Sequence, residues 1–83
     1  MMIDYEKTLM DIVKPMVDEP EKVSVQKMDS LNKNEIILYV HATSNDIARL
    51  IGRGGSMASS IRQMMSVCSS IENKKVTIKF ESY

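Results

Sequence analysis

The stretch Ile47-Ala48-Arg49-Leu50-Ile51-Gly52-Arg53-Gly54-Gly55-Ser56 decides the fold, and it holds all three glycines of the 83-residue chain. Apolar residues at positions 47, 50 and 51 have helical spacing, and so do those that follow the glycines. A glycine just after a helix lets the backbone turn through positive φ, and a glycine before the next helix lets a ligand approach its backbone. We therefore predict helices at about 44–51 and 56–70, joined by a loop at 52–55.

This glycine loop allows two interpretations. In the functional one, exposed N–H groups at the start of the second helix bind an anion with the help of the helix dipole, and Arg53 at the loop tip contacts a phosphate. In the structural one, the glycines only cap the two helices. The tetrapeptide alone favours the structural interpretation, because short glycine patterns are weak predictors of function.

Elements on either side of this helical pair complete an α-β-β-α-α-β order. An apolar stripe predicts a first helix over 3–18, whose last turn Pro15 should kink or break; the stripe consists of Tyr5, Leu9, Ile12, Val13, Met16 and Val17. Alternating residues predict strands at about 23–28 and 75–81, and β-branched and aromatic residues predict one at about 35–41. The turn residues 29–34 should join the first two strands along the chain as a hairpin. The last helix should turn one stripe toward the core, made of Met57, Ile61, Met64, Cys68 and Ile71.

Charge is balanced overall but unevenly distributed, and the length fits one domain over 1–83. Lys and Arg together number 11, as do Asp and Glu, so the net charge is zero. Nine acids and five lysines in residues 1–46 give −4, whereas six bases and two acids in residues 47–83 give +4. Such asymmetry is typical of a local phosphate-facing patch on an otherwise acidic domain.

Residue patterns for catalysis, metal binding or membrane insertion are missing. One cysteine (Cys68) and one histidine (His41) are too few for an internal disulfide or a structural zinc site. No residues suggest a nucleophile with its base and orienting group, and no nucleotide-binding P-loop motif occurs. There is no long apolar run, and we expect no signal peptide. We expect a cytoplasmic protein without membrane association that is not an enzyme and uses no cofactor, metal or small-molecule substrate.

The glycine loop and two longer segments resemble a known family. Ile51-Gly52-x-x-Gly55 between two helices is similar to the I-G-x-x-G loop that defines KH domains, and the element order resembles their type II form. Residues 12–25 and 46–55 are similar to matching segments of the small bacterial KhpA family, and the likeness spans nearly the whole chain. It implies an α+β fold, the type II KH domain, with a three-stranded mixed sheet and helices packed on one face.

The resemblance also implies a binding mode, in which up to four nucleotides of single-stranded RNA lie along the loop. Phosphates would meet Arg53 and the N–H groups of Gly54, Gly55 and Ser56, with Gly52 shaping the turn. Ile47 and Ile51 would form an apolar floor under the bases. Lys74 and Lys75 would flank the groove, and Arg49 and Arg62 would add long-range attraction. Family members usually follow the loop with Arg-Thr-Ala-Lys. Here Ser56-Met57-Ala58-Ser59 lacks those two positive charges, which bears on RNA affinity.

The last helix carries no charge over residues 63–71. Its predicted outward face shows Ser59, Gln63, Ser66, Ser69 and Ser70, flanked by Met65 and Val67. This face is either a tolerated serine-rich surface or a contact for a second subunit, since interfaces are depleted in charge. The resemblance favours the contact, because KhpA-like proteins form homodimers and pair with the larger KH-domain protein KhpB. We predict an interface formed by Ser59, Gln63, Ser66, Val67 and Ser70.

Two functional hypotheses follow. The first is a single-stranded RNA-binding protein acting as an RNA chaperone or post-transcriptional regulator, which the resemblance links to cell-wall homeostasis and cell length. The alternative is a KH-fold protein–protein interaction module with little RNA affinity of its own, for which the reduced basic patch is the supporting feature.

Overall fold

Three helices lie on one face of a three-stranded sheet in the computed structural model, which describes residues 3–28 and 30–83. The helices are α1 (Tyr5–Val13), α2 (Ser44–Ile51) and α3 (Ser56–Ile71). The strands are β1 (Ser24–Met28), β2 (Glu35–Ala42) and β3 (Lys75–Ser82), with short 3₁₀ turns at Lys14–Met16, Pro20–Lys22 and Arg53–Gly55. This α+β architecture and its α-β-β-α-α-β order confirm the predicted fold class. None of the described helices is long and apolar enough to cross a membrane.

The sheet is mixed, with strand order β1-β2-β3. β1 and β2 are antiparallel, with Val25 opposite Val40, so the predicted hairpin is confirmed. β2 and β3 are parallel, with Leu38 opposite Ile78, because the chain crosses over through α2 and α3 between them. Asp29, one of the predicted turn residues, lies outside the described residues.

The first helix is shorter than the predicted 3–18. It begins after Asp4, whose carboxylate accepts the Lys7 N–H over 3.0 Å, and it ends at Val13. Pro15 then lies in a 3₁₀ turn, because it offers no N–H for a helical bond and its ring crowds the preceding turn. The predicted break at Pro15 therefore shortens the helix to nine residues rather than kinking it.

The core lies between the helices and the inner face of the sheet. Alternate residues of β2 point into it, as the side-chain period of two requires: Ile36, Leu38, Val40 and Ala42. The helices add Leu9, Val13, Ile47, Leu50, Ile61 and Met65, all members of the same buried cluster. Since every helix contributes to this one cluster, the opposite face of the sheet has no helix over it in the described part of the chain.

Helix α3 is rotated relative to its predicted orientation. Its buried residues are Ala58, Ile61, Met65 and Ser69, and Cys68 is half-buried. Met57, Met64 and Ile71, predicted for the core, are exposed, and Met65 and Ser69, predicted for the outward face, are buried. Two apolar stripes on neighbouring faces of α3 make both orientations possible in the sequence. The buried serine is accommodated because its hydroxyl donates to the Ser66 carbonyl over 3.1 Å.

Candidate nucleic-acid interface

The loop between α2 and α3 is a tight turn built from positive-φ glycines. Gly52 has φ 74° and ψ 174°, Gly54 has φ 62°, and Gly55 has φ 80°. The Gly52 N–H donates to the Ala48 carbonyl over 2.9 Å and closes α2. The Gly55 N–H donates to the Gly52 carbonyl over 3.1 Å, and the Ser56 N–H donates to the Arg53 carbonyl. Two of the three N–H groups predicted to hold phosphates therefore already donate within the loop.

The first glycine differs from the other two in what surrounds it. A Cβ at Gly52 would lie 2.7 Å from the Met57 Cγ and 2.9 Å from the Met57 backbone nitrogen. Its φ and ψ also fall in a region that essentially only glycine adopts. A Cβ at Gly54 or Gly55 would meet nothing within 4 Å. Gly52 is thus required for the fold, whereas the backbone at Gly54 and Gly55 is open to an approaching ligand.

The N-terminus of α3 faces this opening without a competing anion. Gly55 is its N-cap and supplies no side-chain bond, and the first turn of the helix holds no acidic residue. The first N–H groups of a 16-residue helix carry a partial positive charge, which favours a phosphate there. Arg53 and Arg62 are exposed, and among the described residues neither has a carboxylate within ion-pair distance.

The structure places the other predicted basic residues differently. Arg49 lies beside Asp18, with its guanidinium nitrogen 2.9 Å from the carboxylate, so this acid competes with a phosphate for Arg49. Lys74 and Lys75 lie beyond the C-terminal end of α3. The 16 residues of that helix separate them from the loop by about 24 Å along its axis. Arg53 and Arg62 lie on the loop side of the molecule, and the two lysines do not.

Apolar side chains beside the loop are also arranged differently from the predicted floor. Ile47 is only 8% exposed and belongs to the core cluster, whereas Ile51 is 36% exposed at the end of α2. Met57, in the first turn of α3, is 38% exposed and packs against Gly52. The accessible apolar pair next to the loop is therefore Ile51 and Met57. This pair was not predicted, because the helical spacing of Met57 had placed it in the core stripe.

Comparison with known proteins places the loop in a family context. The family model described as "KhpA/KhpB, KH domain" matches residues 6–80. The chain belongs to this family of KH-domain proteins. A Clostridium perfringens relative named "RNA-binding protein KhpA" is 35% identical over 74 residues, covering 88% of this chain and 96% of the relative. Proteins of the same name from Chlamydia trachomatis (32% over 68 residues, 82% and 85% covered) and Listeria monocytogenes (28% over 74 residues, 89% and 95% covered) are also similar.

In this KhpA/KhpB domain, a buried carboxylate in the first turn of α2 holds that helix in position. Asp46 accepts the backbone N–H groups of Asp18 and Glu19 over 3.0 and 3.1 Å. Thr43 caps the same turn by accepting the Asp46 N–H over 3.3 Å. These bonds, the Asp18 N–H above all, lower the pKa of Asp46 although burial opposes them. The carboxylate therefore stays ionised and anchors α2, and with it the loop, to the segment after α1.

A second polar contact holds the far end of α3. The Tyr5 hydroxyl donates to the Glu72 carboxylate, directly after the helix. Burial and this hydrogen bond raise the pKa of Tyr5 to about 12, and the same bond lowers the pKa of Glu72. With Asp46 at the start of α2 and Tyr5 at the end of α3, both helices that flank the loop are fixed at the end away from it. Among residues 3–28 and 30–83, no group of three or more His, Cys, Asp or Glu side chains is placed to hold a metal ion.

Proposed function

We propose that the protein binds single-stranded RNA at the loop formed by Gly52-Arg53-Gly54-Gly55 and the first turn of α3. The observation that carries this proposal is the open backbone at Gly54 and Gly55, in front of a helix N-terminus without an acidic residue. A strand can approach this backbone closely, and its phosphates meet a positive partial charge and two exposed arginines. The names of the relatives and the family of the chain support the same ligand.

Arg53 makes the first phosphate contact in this proposal, together with the loop backbone around Gly54. A phosphate at Gly55 or Ser56 would share N–H groups that already donate within the loop. Ile51 and Met57 contact the bases or sugars next to the loop, and Ile47 supports Ile51 from the core. Arg62, in the second turn of α3, attracts the following phosphates, and up to four nucleotides occupy the site. Lys74 and Lys75, beyond the far end of α3, are too distant to contact a strand of this length at the loop.

Few phosphates are neutralised at such a site, so binding should be weak and salt-sensitive. With about two to four phosphate contacts, the logarithm of the association constant should fall with the logarithm of salt concentration with a slope of roughly −1.5 to −3. This slope can be measured by fluorescence anisotropy of a labelled, unstructured oligoribonucleotide at salt concentrations between about 50 and 300 mM. A slope near zero would contradict electrostatic binding of the phosphates.

The wider role we propose rests on the family. Acting in the bacterial cytoplasm, the protein serves as an RNA chaperone or post-transcriptional regulator together with a larger KhpB-type partner, in processes that set cell-wall homeostasis and cell length. A site that holds few nucleotides gains affinity when two copies are joined, because the second contact becomes intramolecular. Assembly through α3 is therefore part of this proposal.

An exposed apolar row on α3 supports such assembly. Met57, Met64 and Ile71 recur every seven residues, and Val67 lies between the last two. All four are exposed, Val67 by 65% and Ile71 by 76%. A repeat of seven residues with an apolar residue between is the spacing of a helix–helix seam. The row borders the predicted interface residues Ser59, Gln63, Ser66 and Ser70, which are also exposed, and Val67 belongs to both sets.

The same row gives the alternative function its best support. A KH fold that binds mainly protein needs an apolar contact face and does not need the basic residues missing from the start of α3. The two functions differ in one measurement, because an interaction module would assemble normally while failing to bind unstructured RNA at low salt.

A further inference from the structure

A row of rings lies on the outer face of the sheet, opposite the helices. Residues of β2 and β3 that alternate with the core residues point to this face, among them Tyr39, His41 and Lys79. The Tyr39 and His41 rings are 6.3 Å apart between centroids and inclined by 15°. The His41 and Tyr83 rings are 5.8 Å apart and inclined by 28°. The three rings thus stack in the order Tyr39–His41–Tyr83 across the end of the sheet.

Polar contacts hold these rings while leaving them accessible. The Tyr83 and Ser24 hydroxyls lie 3.2 Å apart, and His41 Nε2 lies 3.3 Å from the Glu81 carboxylate. Tyr83 remains 74% exposed, and Tyr39 and His41 are half-exposed. The chain has only three tyrosines, one phenylalanine and one histidine. Three of these five rings therefore lie on a face of the sheet that is not part of the buried core.

Lysines beside the rings can contact the phosphates of a ligand that also has flat rings. The Lys79 ammonium lies 5.6 Å from the centroid of the Tyr39 ring, and Lys75 precedes it on the same face. The acids of this face lie away from the Lys79 ammonium in their contacts: Glu81 lies against His41, and Glu35 accepts the hydroxyls of Ser30 and Thr77 over 2.7 and 3.4 Å. Rings beside exposed lysines on an open sheet are the combination that stacks bases and contacts the phosphates between them.

We propose that the Tyr39–His41–Tyr83 row is a second contact for single-stranded RNA, where bases beyond the loop-bound segment stack. This inference rests on RNA binding at the loop and extends it to longer strands. β3 is an edge strand, and the molecule measures 33 × 23 × 22 Å, so a strand that leaves the loop can pass around this edge to the outer face. Stacking accepts any base, so the row adds affinity without sequence preference.

The experiment compares a tetranucleotide with a strand of about twelve nucleotides, within the range that single-strand-binding sites cover. The variant Tyr39→Val/Tyr83→Val removes two rings and keeps residues suited to a strand. Tyr39→Phe/Tyr83→Phe keeps the rings and is the matched control. We expect the valine variant to bind the longer strand about 10- to 100-fold more weakly, since each stacked base is worth about tenfold, and to bind the tetranucleotide like the wild type. The phenylalanine variant should bind both like the wild type.

Intrinsic fluorescence gives an independent readout, because the chain has no tryptophan and Tyr5 is buried in the core. Tyrosine emission of the wild type should be quenched by the longer strand and much less by the tetranucleotide. Equal binding of the longer strand by the wild type and the valine variant, without quenching, would overturn the proposed row and leave the loop site intact. Loss of self-association with unchanged RNA binding would overturn it in favour of a protein interface. A wild type that binds neither strand would instead refute the RNA-binding function itself.

Discussion

The variant Arg53→Asp/Gly54→Asp should remain folded and lose RNA binding by on the order of 100-fold. The substitutions place two carboxylates where phosphates pass and remove the guanidinium at the loop tip. A hydrogen bond to a charged group contributes about 1.5–3 kcal/mol, and each 1.4 kcal/mol is a factor of ten. Folding should survive, since a Cβ at Gly54 meets nothing within 4 Å and aspartate is among the side chains that best tolerate positive φ.

A control must change net charge equally without touching the loop. Lys14→Asp/Ser44→Asp also lowers the charge by three, and both residues are exposed. Ser44 lies in the first turn of α2, where an acid is favourable. Circular dichroism and thermal unfolding would verify both folds, and anisotropy would give their affinities. If the loop variant folds and binds no worse than the control, phosphates do not contact the loop.

The variant Val67→Glu/Ile71→Glu should be monomeric at concentrations where the wild type is a dimer. These are the most exposed apolar residues of α3, and glutamates four residues apart would each face a like charge in a two-fold assembly. Light scattering should give about twice 9.4 kDa for the wild type and about 9.4 kDa for the variant. Little stability should be lost, because exposed positions contribute little to folding.

Two further variants show which part of α3 forms the contact. Ser66→Glu/Ser70→Glu charges the serine side of the predicted interface, and Gln26→Glu/Asn45→Asp adds the same charge outside α3 at exposed positions. If the apolar row is the centre of the interface, the serine variant should dissociate less completely than Val67→Glu/Ile71→Glu, and the control should stay dimeric. A monomeric wild type, or a dimeric Val67→Glu/Ile71→Glu variant, would show that this row is not the interface.

The sequence was sufficient for the element order and the position of the loop, because both depend on local signals. Glycines next to two helical patterns mark a turn, and Pro15 marks the end of α1 wherever the helix begins. The buried residues of β2 follow its side-chain period of two, and the helices that cover one side of the sheet decide which face is buried.

The orientation of α3 and the partners of polar residues could not be predicted from local sequence patterns. Both apolar stripes of α3 fit a helical period, and packing against the sheet selects the one with Ala58, Ile61 and Met65. From the sequence, Asp46 is expected only to favour the first turn of a helix. Its hydrogen bonds to Asp18 and Glu19 span 28 and 27 residues of sequence and could not be predicted locally. The sequence around Arg49 predicts a free cation, but in the structure Asp18 lies beside it. Such pairings depend on tertiary structure and have no periodic pattern.

The central claim is that the glycine loop is where RNA binds, and backbone-amide NMR measures it directly. Titrating the ¹⁵N-labelled protein with an unstructured tetranucleotide at low salt should shift the amides of Arg53, Gly54 and Gly55 most, with smaller changes in the first turn of α3. The amides of Lys74 and Lys75, about 24 Å away along α3, should move little. Shifts confined to β3 or the outer face, or no shifts at all, would contradict the proposed site.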